Sequence, residues 1–244
     1  MGSERSAEPE IGRTNFMKKN TAIVLAAGQG KRMKSSVQKQ YLLIKGKPVL
    51  YYTLNAFEKS PLISEIVLVT GKDEIEYCRK EIVEKYGFSK VSSIVAGGKE
   101  RYHSVYEGIR AIAGTDYVYI HDGARPFVTE EILRRADRAV QSHGACVVGM
   151  PVKDTIKRVD AENFAVETPD RRTLWQIQTP QVFEYDLIRT AYEKLMESEP
   201  EGITDDAMVV ETMTDRRVKL VEGSYRNIKI TTPEDLEIAA VFCE

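Results

Sequence analysis

The chain has 244 residues, 42% of them hydrophobic, and a formal charge of −2. That is enough for one α/β domain that buries its core without disulfides or a structural metal. The balance argues against a large nucleic-acid surface, while 35 Lys and Arg leave material for a local phosphate pocket. Cys78, Cys146 and Cys243 are widely spaced with no CxxC pair, and His103, His121 and His143 form no HExxH pattern. A disulfide framework and a thiolate zinc site are disfavoured, and a reducing cytoplasm is the expected setting. No apolar stretch reaches membrane-spanning length.

Residues 1–16 lack both apolar periodicity and the apolar core of a signal peptide. They read as a disordered leader or an expression remnant, with Met17 as a natural start and 17–244 as a single domain. TAIVLAA (21–27) suits a buried strand, and 48–60 repeats apolar residues at helical spacing, with Leu50, Leu54 and Phe57 on one face. Strand and helix then alternate: strand 63–71, helix 73–87, strand 91–98, helix 102–113, strand 116–126, helix 129–144 and strand 145–152. Junctions fall on glycines such as Gly71, Gly87 and Gly144. This rhythm predicts a Rossmann-like α/β fold, a mostly parallel sheet with helices on both faces.

The rhythm breaks at 153–179. DTIKRV and FAVET flank a polar DAEN turn, which predicts a β-hairpin arm. Such an arm has no core of its own, and a second subunit is its natural support. Helices 182–198, 204–214 and 232–244 follow, with a strand at 218–224 and a strand-like RNIKIT at 226–231.

The chemistry gathers at the turns. LAAGQGKRM puts Gly28 and Gly30 after a strand, where successive N–H groups can cradle an anion. Met33 stands where the third glycine of GxGxxG belongs, and Lys31 precedes Arg32 and not Ser or Thr. The dinucleotide and Walker patterns therefore both fail. What remains is a glycine turn followed by Lys31, Arg32, Lys34 and Lys39. HDGARP (121–126) ends a strand in Asp122, a place where parallel sheets bind ligands. Asp122 can hold Mg²⁺, orient a sugar hydroxyl or simply cap a turn, and Arg125 can clamp a phosphate. His121 lies within the strand and reads as a packed, hydrogen-bonded residue. AGGKERYHS (96–104) brings two glycines and Ser104 to another turn, suited to a base or ribose or to nothing beyond a turn. With no GxSxG elbow and no Ser or Cys relay, the inventory fits phosphoryl or nucleotidyl transfer, which relies on positioning and cations.

LAAGQGKRM with QKQYL, GGKERYHS, HDGARP, PVKDTIK, LWQIQTPQ, ITDDA and NIKITTPED, in this order, resemble the 2-C-methyl-D-erythritol 4-phosphate cytidylyltransferase family from about residue 21 to the end. The resemblance implies transfer of a cytidylyl group from CTP to methylerythritol phosphate in the non-mevalonate isoprenoid pathway. It also implies Mg²⁺ and a cytoplasmic homodimer that exchanges β-arms. By motif, Arg32 and Lys39 would be the catalytic cations. Gly28 and Gly30 would belong to the phosphate loop. Ala26, Ala27, Gly98 and Ser104 would recognise cytidine, and Asp122 and Gly123 would lie by the ribose and metal. Arg125, Thr155, Arg171, Thr179 and Lys229 would address the acceptor, with Thr155 and Arg171 reaching across from the partner's arm. Gly123 departs from the HDAAR common in the family, which makes the turn more flexible. A ribitol-5-phosphate cytidylyltransferase shares much of this set, but its LAGG and HDAVRP differ from LAAG and HDGARP here. A non-catalytic nucleotide-binding regulator of the same fold would be expected to lose Arg32, Lys39 or Asp122, and all three are present.

Overall fold

The computed structural model describes residues 18–28, 38–198 and 202–243. The strands are β1 (Asn20–Leu25), β2 (Leu43–Ile44), β3 (Lys47–Pro48), β4 (Glu65–Thr70), β5 (Val91–Ala96), β6 (Tyr117–Asp122), β7 (Ala145–Pro151), β8 (Arg158–Val159), β9 (Ala165–Glu167), β10 (Trp175–Glu184) and β11 (Lys219–Glu222). The helices are α1 (Val49–Lys59), α2 (Ile75–Tyr77, continued by a π-helical stretch Cys78–Glu84), α3 (Arg101–Arg110), α4 (Glu130–His143), α5 (Tyr185–Ser198), α6 (Asp206–Met213) and α7 (Pro233–Phe242).

Seven strands form one sheet in the order β11-β7-β10-β6-β1-β4-β5. All run parallel except β10, which lies antiparallel between β6 and β7. Residue parity along the strands sends side chains to two opposite cores. Ala22, Val24 and Tyr119 join one core, packed under α1 and α4 through Leu50, Leu54, Phe57, Ile132 and Val140. Ile23, Val118 and Ile120 join the other, under α3, α5 and α6 through Val105, Ile109, Ile188 and Val209. Each such buried aliphatic side chain contributes about 1.5–3 kcal/mol relative to exposure. Both faces of the sheet are therefore apolar, and the near-continuous hydrophobic runs in β1 and β6 follow from this.

Local signals set the ends of elements. The Thr129 hydroxyl accepts from the Ile132 N–H at 3.4 Å and opens α4, which closes on Gly144 in the left-handed region at φ 75°. The Asp205 carboxylate likewise accepts from the Met208 N–H at 3.0 Å and opens α6.

Two expectations need correction. Residues 175–179 belong to the sheet and not to the arm, and 182–184 extend strand β10 before α5 begins. The pairing register of β10 shifts between Ile177 and Gln181, around a cis Thr179–Pro180 bond. The second correction is at 226–231, which lies outside the sheet. That segment begins in a turn and is joined to the HDGARP turn by Ile230 N–H to Ala124 O at 2.8 Å. The expected hairpin is present as β8 paired antiparallel with β9. Its apolar side chains are open to solvent, with Phe164 66% and Val166 52% exposed.

Candidate active site

Strand β1 leads to β4 on one side, and β6 returns to its other side, so the chain direction across the sheet reverses between β1 and β6. Ligand crevices in open α/β sheets lie at such a point, beyond the strand C-termini. Leu25 and Asp122, the last residues of these two strands, are paired in register. A cavity of about 690 Å³ opens above them, lined by Leu25–Gly28, Lys39, Gln40, Gly98–Arg101, Ser104, Asp122, Ala124 and Lys229.

Asp122 is the electrostatic centre of its floor. Lys229 Nζ stands 2.9 Å from Oδ2, Arg125 Nε 3.5 Å from Oδ2 and Arg101 Nε 3.6 Å from Oδ1. Burial pushes this carboxyl up, but Lys229, Arg101 and Arg125 outweigh burial and hold it well below the usual carboxylate range. Arg125 is itself pulled down by burial, and its Nη1 donates to the Asn227 carbonyl at 2.8 Å. One carboxylate facing three cations leaves net positive charge at the cavity floor, suited to a polyanion.

The two sides of the cavity are shaped by close backbone packing. A Cβ at Gly97 would lie 2.5 Å from Ala27 Cβ, and one at Gly98 would lie 2.4 Å from His103 Cβ. Only glycine lets these turns meet. The Gly98 N–H then donates to Ser104 Oγ at 3.1 Å, which fixes the turn on α3. Opposite, Gln40 Nε2 donates to the Ala26 carbonyl at 2.5 Å. Gln40 stands in a short 3-10 turn, Lys39–Tyr41, that is pinned by Tyr41, whose hydroxyl meets Thr70 Oγ1 at 2.9 Å and Glu74 Oε2 at 3.0 Å. Lys39 is thereby carried to the cavity wall.

The family model described as "IspD: 2-C-methyl-D-erythritol 4-phosphate cytidylyltransferase" matches residues 20–244. The chain belongs to this family. The 2-C-methyl-D-erythritol 4-phosphate cytidylyltransferase of Lachnospira eligens is 55% identical over 224 residues, covering 91% of this chain and 98% of that one. The corresponding protein of Lachnoclostridium phytofermentans is 52% identical over 223 residues, covering 91% and 95%. Among solved structures, the 4-diphosphocytidyl-2C-methyl-D-erythritol synthase from Anaerococcus prevotii is 37% identical with a TM-score of 0.81, covering 93% of this chain and 96% of that one. The Francisella tularensis cytidylyltransferase is 29% identical with a TM-score of 0.77, covering 91% and 98%.

Of the residues expected to serve this cytidylyltransferase chemistry, the fold brings Ala26, Ala27, Gly28, Lys39, Gly98, Ser104, Asp122 and Lys229 to one cavity. Arg125 joins them through Asp122. Thr179 is 4% exposed and lies beneath the floor, its hydroxyl 3.1 Å from the Asp122 nitrogen. Thr155 and Arg171 do not line the cavity; both are exposed, and Arg171 Nη1 donates to the Lys153 carbonyl at 2.8 Å. Gly30 and Arg32 lie outside the described residues. Gly123 is constrained by space and not by φ: a Cβ there would lie 2.8 Å from the Leu25 carbonyl. The glycine thus allows close approach of the turn to β1.

Sequence reasoning assigned no role to Arg101, although it stands inside the GGKERYHS motif. Its guanidinium forms a fork with the fully buried Asp206, Nη1–Oδ1 at 2.8 Å and Nη2–Oδ2 at 2.7 Å. Tyr192 also donates to Asp206 Oδ1, at 2.6 Å. Burial would lower Arg101, but Asp206 and then Asp122 hold it charged beyond its ordinary range. The signal in the sequence was the acidic pair of ITDDA, which needs a cationic partner once buried.

Proposed function

We infer that the chain transfers the cytidylyl group of CTP to 2-C-methyl-D-erythritol 4-phosphate, giving 4-diphosphocytidyl-2-C-methyl-D-erythritol and pyrophosphate, a step of non-mevalonate isoprenoid synthesis. The observation that supports this most is the convergence of Arg101, Arg125 and Lys229 around Asp122 at the strand-order reversal, with Lys39 lining the same cavity, in a chain of this family. An oxygen of the acceptor's phosphate attacks the α-phosphorus in line. The bond from that phosphorus to the bridging oxygen breaks, and pyrophosphate leaves with the electron pair. The attacking oxygen is already anionic near neutral pH, so no strong general base is required. Lys39, with Arg32, offsets the charge that grows on the phosphoryl oxygens. Ala26, Ala27, Gly98 and Ser104 hold the cytidine, with Gly28 and Gly30 along the phosphates and Asp122 and Gly123 by the ribose. Arg125 and Lys229 bind the acceptor phosphate.

No cluster of three or more His, Cys, Asp or Glu suited to a metal occurs among the described residues. Asp122 is a single carboxylate already facing three cations. Asp122 would be the protein's own ligand to Mg²⁺, an ion that needs only one or two carboxylates from a protein when the substrate brings phosphates. When bound, the ion lowers the charge on the triphosphate.

The site is completed by a second copy. The β8–β9 hairpin exposes Phe164, Val166 and Val159, and a hairpin this short is not stable on its own. Arm exchange in a homodimer would cover these side chains and carry Thr155 and Arg171 to the partner's cavity. A cytoplasmic setting goes with the buried free thiols of Cys78 and Cys146. Among the described residues no helix is long and apolar enough to cross a membrane.

The direct mechanism is tested with CTP made chiral at the α-phosphorus. A single in-line displacement inverts the configuration in the product. Retention would mean two displacements through a covalent enzyme intermediate and would overturn it.

A further inference from the structure

Glu74 does not line the cavity, and the chemistry proposed above gives it no part. Its carboxylate nevertheless collects four donors. Oε2 accepts from the Tyr41 hydroxyl at 3.0 Å, the Thr70 hydroxyl at 3.1 Å and the Gly71 N–H at 3.3 Å, and Oε1 accepts from Gln38 Nε2. A carboxylate only accepts, so each of these bonds depends on its oxygens. Burial pushes the Tyr41 hydroxyl well above its ordinary range, so the phenol keeps the proton it donates.

Capping a turn does not account for this arrangement. Glu74 ends the short 3-10 turn Lys72–Glu74, and the Gly71 N–H is the one donor such a cap serves. It is also the most distant of the three at Oε2. The side-chain donors come from Thr70, the last residue of β4, and from Gln38 and Tyr41, on either side of Lys39. Gln40, next after Lys39, donates to the Ala26 carbonyl at 2.5 Å, just past the end of β1, and also to Gln38 Oε1. Lys39 is thus the middle residue of a clip fastened to β1 through Gln40 and to β4 through Glu74. Cys78 Sγ backs the clip at 3.1 Å from the Tyr41 hydroxyl, where α2 passes into its π-helical stretch. Such departures from regular helix recur at functional sites.

We propose that Glu74 is a positioning residue for nucleotidyl transfer. It touches neither substrate; it fixes the turn that carries Lys39, and its effect on the reaction passes through that lysine. A cation that offsets charge in the transition state must already stand in place when the charge develops, and a loose turn would let it drift. The kinetic consequence rests on the cytidylyltransferase reading; the hold of Glu74 on the turn does not.

Two measurements test it on the full chain. The first is amide hydrogen exchange without ligands. The Tyr41 N–H donates to the Gln38 carbonyl at 2.9 Å and the Leu42 N–H to the Lys39 carbonyl at 3.3 Å. In Glu74→Ala both should exchange at least about tenfold faster, while the amides of β6 keep their wild-type rates. Wild-type exchange at Tyr41 and Leu42 would overturn the proposal. The second is single-turnover kinetics. Glu74→Ala should lower the rate about tenfold, the scale of a sub-ångström misplacement, with the CTP Kd within about twofold of wild type. Added to Lys39→Ala, it should slow the reaction by no more than about twofold further, because the group it positions is gone. Multiplied losses would mark a general structural effect and contradict the proposal. If Glu74→Ala does not fold, Gln38→Ala decides: it removes one donor beside Lys39 and should lower the rate about threefold, again with no added loss in Lys39→Ala. An unchanged rate there would overturn the proposal. A wild type without acceptor-dependent turnover would refute the assigned reaction and leave the amide exchange to decide the hold on the turn.

Discussion

Arg101 and Asp206 meet through a two-pronged ion pair, 2.7 and 2.8 Å long, that joins the start of α3 to the start of α6. Asp206 has no exposed surface, while Arg101 keeps 30% of its side chain open and lies 3.6 Å from Asp122. The pair thus holds a guanidinium at the cavity wall from behind. Replacing Asp206 by Asn keeps one oxygen for the Tyr192 hydroxyl but removes the charge and sets an amide NH2, a donor, against the Arg101 guanidinium. Asp206→Asn should cost about 3 kcal/mol, seen as a lower urea midpoint at unchanged slope. A loss below about 1 kcal/mol would show that Arg101 is held by other contacts.

Lys39 is proposed to act on the transition state more than on bound CTP. Lys39→Ala should lower the single-turnover rate by about 10²–10³, or roughly 3–4 kcal/mol, while the CTP Kd rises far less. Equal losses in rate and affinity would place its effect in ground-state binding.

His121 predicts an acid-side instability in the free protein. Its folded value, about 4, lies below the unfolded value near 6.5, because the buried ring resists protonation. The unfolded chain binds the extra proton between these values, so this contribution is complete above pH 6.5 and declines as pH falls toward 4. The loss is on the order of 3 kcal/mol across that window. Stability measured by denaturant at pH 7, 6, 5 and 4 should decline by up to one proton's slope, and His121→Gln should lack that component. An identical decline in the variant would assign it to other groups.

Arm exchange predicts complementation. Arg171→Ala removes the group proposed to come from the arm, and Lys229→Ala removes one from the cavity itself. Each variant alone should be nearly inactive. Mixed and re-equilibrated one to one, they should recover about a quarter of wild-type activity, because half of the dimers then hold one intact site. No recovery, with subunit exchange demonstrated separately, would mean that Arg171 serves its own chain's site.

The doubly wound sheet was legible because its strands are buried on both faces. Runs such as AIVL and VYI have no other setting in a chain of this size. Strand β10 was hidden because Gln176, Gln178 and Gln181 break its apolar pattern and Pro180 lacks a ladder donor. Those features are accommodated at the register shift, where buried Gln181 donates to Asp205 and accepts from the Ala207 N–H. Asp122 could be picked out by residue type at a strand end, Arg125 in the turn after it and Lys229 as the cation of NIKIT. Arg101 with Asp206, and His121 with Thr179, could not, because each pair is made by β-sheet order across long stretches of chain. The change of direction that puts Lys229 beside Asp122 is likewise a property of topology, and NIKIT alone resembles a strand.

Pyrophosphate release from CTP tests the central claim most directly, with methylerythritol phosphate, ribitol 5-phosphate or no acceptor supplied separately. Release should require methylerythritol phosphate and stay at background in the other two reactions. Release with ribitol 5-phosphate in its place, or none with any acceptor, would contradict the assigned reaction.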